Sequence, residues 1–296
     1  MCSEHSTGSE FEYTIAMCNL NNAGTIEEAI QSIACQVDNR FELLVVDDGS
    51  TDGSLSILKR LENKITNLRF ITGDNDNLGE ARNHSFREAN GEHILESMDL
   101  DDKYHHGILD FIEIYESLRG ELSEDFYLKG NSINAAPRKL LMEYPYRSMG
   151  YGEDADLWRR LFADDKIIWL DHEPFYEQIR EDYTFFQRIK NIYNKTVVDF
   201  RSGVSFRSFV HYCMNNMTEN LKRNMYLLCI SIPAYAKAKK LGRFDPPAPE
   251  FRKKGTLRIK IRSRQIKLSE FNKKFGIDPE DIDISDEGRQ YFYDIG

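Results

Sequence analysis

The chain has 296 residues, enough for one large domain with a smaller appended region. Apolar side chains make up 41% of the residues, which excludes a disordered chain, and the formal net charge of −10 argues against nucleic acid as a partner. The five cysteines lack the Cys-x-x-Cys spacing of zinc sites, so we expect reduced thiols, no disulfide framework and a cytoplasmic location.

Strands and helices alternate through the first half of the chain. Four short apolar runs predict strands at residues 13–18, 41–46, 68–72 and 93–98. The residues between these runs have apolar side chains at helical spacing. Such alternation is typical of βαβ units, so the predicted fold is α/β, with a mostly parallel sheet flanked by helices.

The loops after the predicted strands contain helix-capping residues. Thr25 and Glu28 have the spacing of a capping box for the first helix. Ser50 or Thr51 is placed to cap the second helix. A third helix is predicted to end at Ala89, because Asn-Gly follows it.

The pattern changes to helices alone after about residue 183. The remaining predicted elements are a helix at 107–118, a helix that opens at 152–154, a strand at 166–170, and helices at 205–216 and 218–240. The proline-rich residues 246–249 predict a rigid break. We therefore divide the chain into a domain of residues 11–182 and a mainly helical C-terminal region of residues 183–296.

A basic segment lies within this C-terminal region, at residues 252–274. It contains ten Lys or Arg and one acidic residue, Glu270. Apolar residues at 257, 259 and 261 alternate with basic ones, which predicts a strand with one basic face. Two interpretations stay open: peripheral contact with an anionic membrane surface or lipid-linked acceptor, and an edge strand protected by its charge from aggregation.

Neither end of the chain predicts a membrane-spanning helix. Residues 1–10 are polar and lack the apolar core of a signal peptide. The apolar stretch at 226–236 is shorter than the roughly 20 residues that a spanning helix needs. We expect a soluble protein, or one attached peripherally at the inner membrane face.

Three acidic clusters follow one another in the sequence, at residues 47–52, 99–102 and 152–154. The first two end predicted strands, at the edge where α/β sheets bind ligands. Each cluster also has an ordinary structural explanation: helix capping, a solvated loop, and acids at the positive end of a helix dipole. Together they can hold a nucleotide, a divalent metal and a catalytic base, which predicts metal-dependent transfer from a nucleotide-activated donor.

Five motifs in this order resemble those of the inverting family 2 glycosyltransferases, which have the GT-A fold. The motifs lie at residues 17–21, 45–52, 77–83, 98–102 and 152–160. The resemblance covers about residues 13–180. It implies an enzyme that moves a sugar from a UDP- or GDP-linked donor to the hydroxyl of a glycan or lipid-linked acceptor, with Mn²⁺ or Mg²⁺ as cofactor.

The resemblance also implies which residues bind the nucleotide-sugar. Asp48 contacts the nucleotide base, and Cys18 and Asn21 belong to the turn that supports the base pocket. Arg82 lies near the base and the diphosphate, and Asp99 faces the ribose or the metal.

Metal and catalytic roles fall on two other aspartates. The resemblance implies that Asp101, with Asp99, is the metal ligand and that Asp154 is the general base that activates the acceptor hydroxyl. The chain departs from the family after the fifth strand, where it has Arg180 but lacks a histidine that approaches the metal. Metal binding then rests on Asp101 and the donor phosphates, with Asp182 a remote candidate.

The sequence has two alternatives to a glycosyltransferase. A sugar-1-phosphate nucleotidyltransferase needs a glycine-rich, arginine-containing loop after the first strand, and residues 19–24 do not provide one. A nucleotide-sugar-binding module that has lost turnover stays open as an alternative, although the presence of both Asp101 and Asp154 favours an enzyme.

Overall fold

The structure, a computed structural model, describes residues 11–180, 184–244 and 251–293. The polar residues 1–10, the remote metal candidate Asp182 and the proline-rich break at 246–249 lie outside the described residues.

The described residues contain ten strands. These are β1 (Tyr13–Asn19), β2 (Phe41–Asp47), β3 (Leu68–Thr72), β4 (His93–Glu96), β5 (Asp102–Tyr104), β6 (Tyr127–Lys129), β7 (Asn134–Pro137), β8 (Ile167–Leu170), β9 (Tyr176–Gln178) and β10 (Gln265–Ile266). Eight of them form one sheet in the order β10-β8-β6-β7-β4-β1-β2-β3, and β5 pairs with β9. Within the large sheet β7 runs antiparallel to both neighbours and every other pairing is parallel, which confirms the predicted mostly parallel sheet.

Strand β2 shows why the apolar runs form the centre of the sheet. It lies between β1 and β3, and all seven of its residues are buried. A strand of a parallel sheet is covered by helices on both faces, so it is mostly apolar; of the two charged residues in β2, Glu42 pairs with Arg69 and Asp47 ends the strand. The acidic residues that follow β2 are then carried to the carboxyl edge of the sheet.

Twelve α-helices lie in the described residues. They are α1 (Ile26–Ala34), α2 (Ser54–Glu62), α3 (Leu78–Glu88), α4 (Ile108–Glu121), α5 (Arg138–Glu143), α6 (Glu153–Ala163), α7 (Phe185–Arg201), α8 (Phe206–Asn215), α9 (Leu221–Leu241), α10 (Thr256–Arg264), α11 (Phe271–Phe275) and α12 (Asp286–Phe292). One face of the sheet packs against α1, α2, α4, α11 and α12, and the other against α3, α5, α6 and α10.

Helices α7, α8 and α9 form a helical unit with an apolar cluster of their own, which includes Phe200, Phe209 and Ala234. A buried ion pair joins this unit to α6, because Arg159 lies 2.7 Å from Asp199. The chain then returns to the sheet: β10 pairs with β8, and Phe271 and Phe292 are buried in the core beneath α4.

The predicted strand in the basic segment is wrong, because residues 256–264 form helix α10. Leu257 and Ile261 are four residues apart, so they lie on the same side of the helix and pack against the cluster that contains Phe251. Ile259 lies on the other side and is 67% exposed. The first and third of these apolar residues are spaced for a helix as well as for a strand, so the short pattern does not distinguish the two and tertiary packing decides.

The predicted capping box is not formed, although the predicted N-cap residue of α1 is correct, and the predicted cap of α2 is wrong. Thr25 is the N-cap residue of α1, but its hydroxyl donates to the Leu100 carbonyl at 2.8 Å and makes no capping hydrogen bond. Helix α2 begins after Gly53, and the backbone N–H of Ser54 donates to Asp52. Ser50 instead uses its hydroxyl oxygen to accept from the Asn21 N–H, which joins two loops at the sheet edge.

Candidate functional site

Two adjoining clefts open at the carboxyl edge of the sheet. The strand-end cleft, about 410 Å³, is lined by Cys18, Asp48, Asp99 and Asp101 among others. The helix cleft, about 840 Å³, lies between the start of α6 and the helices α7 and α9, and its lining includes Arg82, Asp99 and Asp154. Because Asp99 lines both clefts, the structure brings the predicted nucleotide, metal and catalytic residues to one continuous site.

The two aspartates at the end of β2 have different environments. Asp47 is buried, and its carboxylate accepts from the backbone N–H groups of Gly49 and Ser50 at 3.1 and 2.9 Å. Asp48 accepts from the Asn75 side chain at 2.6 Å and lines the strand-end cleft. Burial raises the pKa of Asp48. Asp47 therefore holds the turn, while Asp48 is available to a ligand.

The turn after β1 supports this cleft in two ways. Cys18 lines the cleft, and burial raises its pKa to about 12, so the thiol stays neutral. Asn21 has a positive φ of 59°, and its side-chain oxygen accepts from the Thr51 N–H at 2.9 Å. Its side chain thus braces the neighbouring loop and does not line the cleft.

Asp99, Asp101 and Asp102 form a compact acidic group. Each offers a carboxylate oxygen within 4.8 Å of the others. Asp102 is 3% exposed, and its Oδ1 has no hydrogen-bond partner among the described residues. Burial, together with the charges of Asp101 and Asp99, raises the pKa of Asp102 to about 7. Asp99 lines both clefts. The surrounding protein atoms desolvate its carboxylate, which raises its pKa as well.

This donor set fits a hard divalent cation. Mg²⁺ and Mn²⁺ prefer oxygen ligands, and three carboxylates so close together repel one another unless a cation or a proton lies between them. The unpartnered Oδ1 of Asp102 is a further oxygen without a protein donor. Sequence reasoning named Asp99 and Asp101 but did not assign Asp102 to the metal, although all three lie in one motif.

Arg180 is a residue of this site to which the sequence assigned no role. The pairing of β5 with β9 brings it there, since the Ile179 N–H donates to the Asp101 carbonyl at 3.1 Å. Its guanidinium forms an ion pair with the Asp101 carboxylate. A cation of the protein itself therefore contacts the acidic group.

Arg82 is held by a network under the helix cleft. Its NH1 donates to Glu96 at 2.7 Å, and Glu96 also accepts from the Tyr146 hydroxyl at 2.8 Å. The Arg82 guanidinium stacks over the Tyr146 ring at 5.4 Å. Its Nε has no hydrogen-bond partner among the described residues and lies 3.8 Å from Glu153. Arg82 thus lines the helix cleft with Asp154, and its charge also acts on Asp99 and Cys18 of the strand-end cleft.

Gly152 positions the third acidic cluster. It is the N-cap of α6 with φ of 80°, a conformation that favours glycine. A Cβ there would lie 3.5 Å from Val198 of α7, so the start of α6 is close to the helical unit. Glu153 points into the protein, and burial raises its pKa to about 7. Asp154 is half-buried and lines the helix cleft.

The motif at residues 77–83 lies where the two clefts adjoin, since Leu78 lines both. Asn77 caps α3 by accepting from the Glu80 N–H. The Gly79 N–H donates to the Met149 carbonyl at 3.1 Å, and a Cβ at Gly79 would lie only 2.3 Å from the Arg147 carbonyl oxygen. Only glycine allows this approach, which fixes the loop before Gly152.

Sequence comparison matches the first part of the chain, which contains four of the five motifs, to a known family. Residues 14–118 match the sequence model of glycosyl transferase family 2. The cholesterol galactosyltransferase of Borreliella burgdorferi is 28% identical over 140 residues, which cover 46% of this chain and 38% of that protein. The GalNAc(5)-diNAcBac-PP-undecaprenol beta-1,3-glucosyltransferase of Campylobacter jejuni is 24% identical over 216 residues, 61% of this chain and 69% of that protein. The chain thus matches less than half the length of the first of these relatives.

Comparison of structures identifies the fold. A mannosyltransferase from Pyrobaculum calidifontis, solved with GDP-Man and Mn²⁺, superposes with a TM-score of 0.51 and 16% identity, over 79% of this chain and 76% of that one. The predicted GT-A fold is therefore confirmed. Among the helices of the described residues, none is both long enough and apolar enough to cross a membrane.

Proposed function

The chain carries a domain of glycosyl transferase family 2, and from that premise we propose that it is an inverting, metal-dependent glycosyltransferase. It moves a sugar from a UDP- or GDP-linked donor to the hydroxyl of a glycan or lipid-linked acceptor. The observation that carries the proposal is the position of Asp99, which lines both the cleft of the acidic group and the cleft of Asp154. Donor and acceptor can therefore meet at one point.

The strand-end cleft binds the nucleotide in this proposal. Asp48 accepts a hydrogen bond from the base or the ribose, as its position beside Asn75 allows. Cys18 contributes a neutral surface to the same cleft. The complex of the Pyrobaculum calidifontis mannosyltransferase with GDP-Man and Mn²⁺ supports a nucleotide-sugar and a divalent cation for this fold.

The acidic group holds the metal in this proposal, through Asp99, Asp101 and Asp102. Bound there, a divalent cation supplies Lewis-acid stabilisation to the diphosphate leaving group. Arg180 lies beside the same group and adds a second positive charge near the departing phosphates.

Asp154 acts as the general base from the other cleft. It accepts the proton of the acceptor hydroxyl while that oxygen forms a bond to the anomeric carbon of the donor. The bond from this carbon to the diphosphate oxygen breaks, and the configuration inverts because attack and departure occur on opposite faces. Glu153 also lines the helix cleft, but it is only 5% exposed and lies beside Arg82, whereas Asp154 is half-buried, so we assign this role to Asp154.

Peripheral membrane contact is a second part of the proposal. Helix α10 packs the partly buried Leu257 and Ile261 against the protein and exposes Arg258, Ile259 and Arg262. A surface of this kind fits an anionic membrane. Co-sedimentation with phosphatidylglycerol vesicles tests it, and equal binding to phosphatidylcholine vesicles, or no binding to either, would reject it.

Turnover of nucleotide-sugars tests the function directly. We expect Mn²⁺-dependent release of UDP or GDP from one member of a nucleotide-sugar panel, and loss of that dependence in Asp101→Ala. The exposed Asp283→Ala is the matched control. Release of pyrophosphate would instead indicate a nucleotidyltransferase. Tight nucleotide binding without sugar release, with any acceptor, would indicate an inactive binding module.

A further inference from the structure

The helix cleft has a basic wall opposite its acidic one. Lys190 and Lys195 of α7 and Lys237 of α9 line the same cleft as Asp154. We propose that these three lysines, hereafter the lysine wall, bind a phosphate group of the acceptor. The acceptor is then a phosphate-bearing sugar or a lipid-linked sugar phosphate. This inference rests on the proposed function and specifies the class of acceptor for the same site.

The three side chains of the lysine wall are exposed, and the charge of Lys195 acts at longer range on Asp199, whose pKa it helps to lower. In the described part of the chain, none of the three amino groups lies within salt-bridge distance of a carboxylate. The Lys237 amino group lies over the Tyr193 ring at 5.4 Å, which holds it at the cleft. The other cations of the lining are engaged elsewhere: Arg201 donates to the Gly242 carbonyl, and Arg82 pairs with Glu96.

Helical geometry places two of these lysines on the two edges of one polar strip. Successive residues of an α-helix are rotated by about 100°, so Gln187, Asn191 and Asn194 share a face of α7. Lys190 lies on one edge of that face and Lys195 on the other, and all five residues line the cleft. The amide side chains can hydrogen-bond to sugar hydroxyls, while the flanking lysines attract the phosphate.

The distance from the catalytic aspartate suits such an acceptor. Gly152 contacts Val198, so Asp154 lies near the Val198 level of α7. Lys195 precedes Val198 by about one turn, and Lys190 precedes it by eight residues, or about 12 Å along the helix axis. One or two sugar residues bridge this separation between the reacting hydroxyl and the phosphate.

The distribution of charge along the chain also supports a phosphate-bearing acceptor. Residues 184–244 contain eleven Lys or Arg and two acidic residues, Asp199 and Glu219, in a chain whose net charge is −10. The positive electrostatic potential of such a region raises the local concentration of an anionic ligand. The nucleotide side of the site is acidic and needs a metal, whereas the acceptor side is basic and takes the anion directly.

Replacing the lysine wall tests the inference. The test variant is Lys190→Gln/Lys195→Gln/Lys237→Gln, and the matched control is Lys222→Gln/Lys239→Gln/Lys240→Gln, which changes the charge equally but lies outside the cleft lining. Glucose 1-phosphate is titrated by calorimetry with Mg²⁺ and saturating nucleotide diphosphate present, so that the strand-end cleft is filled. A second arm uses phosphatidylcholine vesicles with and without 10% polyprenyl phosphate.

We expect the wild type and the control to bind at least one probe, and the test variant to bind it about tenfold more weakly or worse, because charged hydrogen bonds to phosphate are strong. Binding of glucose 1-phosphate indicates a soluble acceptor, and binding of only the polyprenyl phosphate vesicles indicates a lipid-linked one.

Equal binding by both variants, or no binding by the wild type, would overturn the inference. A melting temperature that falls in the test variant alone, with probe binding unchanged, would assign the lysines a structural role instead. Metal-dependent nucleotide binding by the wild type tests the proposed function separately.

Discussion

The Arg180 guanidinium forms an ion pair with the carboxylate of Asp101, the residue that we expect to hold the metal. Strands β5 and β9 create this contact, because their pairing places the two residues at neighbouring strand ends. We therefore expect Arg180 and a divalent cation to compete for the same oxygen. With the metal bound, we expect the guanidinium to contact the phosphates of the donor instead.

Arg180→Gln is expected to strengthen the binding of Mn²⁺ alone by about two- to fivefold. A partly exposed ion pair contributes roughly 0.4–1 kcal/mol, and this energy opposes the metal in the wild type. Electron paramagnetic resonance of free Mn²⁺ measures the change. Arg60→Gln, which removes a surface ion pair with Glu27, is the control and leaves the affinity unchanged. Weaker metal binding by Arg180→Gln would contradict the competition.

Phe271→Ala is expected to destabilise the whole protein by about 3–5 kcal/mol. Phe271 is fully buried in the main apolar cluster, although it lies far along the chain in the predicted C-terminal region. Urea denaturation measures the loss. The control is Phe185→Ala, because Phe185 is 71% exposed and its removal changes stability by less than about 0.5 kcal/mol. An equal, small effect of both variants would show that residues after 264 are not part of the core.

Glu153 is expected to make the protein less stable as the pH rises from about 4.5 to 7. Burial raises its folded-state pKa to about 7, so the folded state holds the proton more tightly than the unfolded state does. Between the two pKa values, unfolding releases a proton, and each rise in pH favours it. The contribution is at most about 3 kcal/mol.

Glu153→Gln tests this dependence because glutamine keeps the shape and cannot ionise. Denaturation curves in metal-free buffer at pH 5 and pH 8 should differ less for the variant than for the wild type. Asp102 titrates in the same range in both proteins, so the comparison isolates Glu153. If the free energy of unfolding changed equally with pH in the two proteins, the raised pKa of Glu153 would be contradicted.

Local patterns in the sequence predicted much of the fold but only part of the site. The strands β1, β2 and β3 and the helices between them were predicted because each has apolar residues at the spacing of one type of secondary structure over its whole length. The paired strands β6 and β7 are three and four residues long, too short for a period to be recognised.

The contacts that shape the site were missed for a different reason. Arg180 and Asp101 are 79 residues apart, and only strand pairing brings them together. The network of Arg82, Glu96 and Tyr146 likewise depends on tertiary packing. Acidic motifs predict which residues collect at the sheet edge, whereas their counter-charges come from elements with no motif of their own. The assigned roles of Asp48, Asp99 and Asp101 stay predictions.

Asp154→Asn is expected to lower the transfer rate by about 10²- to 10⁴-fold while nucleotide binding stays unchanged. Asparagine has nearly the same shape, but it cannot take the proton of the acceptor hydroxyl. Asp154 lines the helix cleft and not the strand-end cleft, so we expect the donor to lose no contact.

Initial rates with a nucleotide-sugar from the panel, at saturating Mn²⁺, measure the transfer rate of Asp154→Asn, and calorimetric titration with UDP or GDP measures nucleotide binding. Glu153→Gln, one residue away and buried in the same cleft lining, is the comparison: we expect it to lower the rate far less, since only 5% of Glu153 is exposed. Full transfer activity in Asp154→Asn, or a larger loss in Glu153→Gln, would move the base to another residue of the cleft.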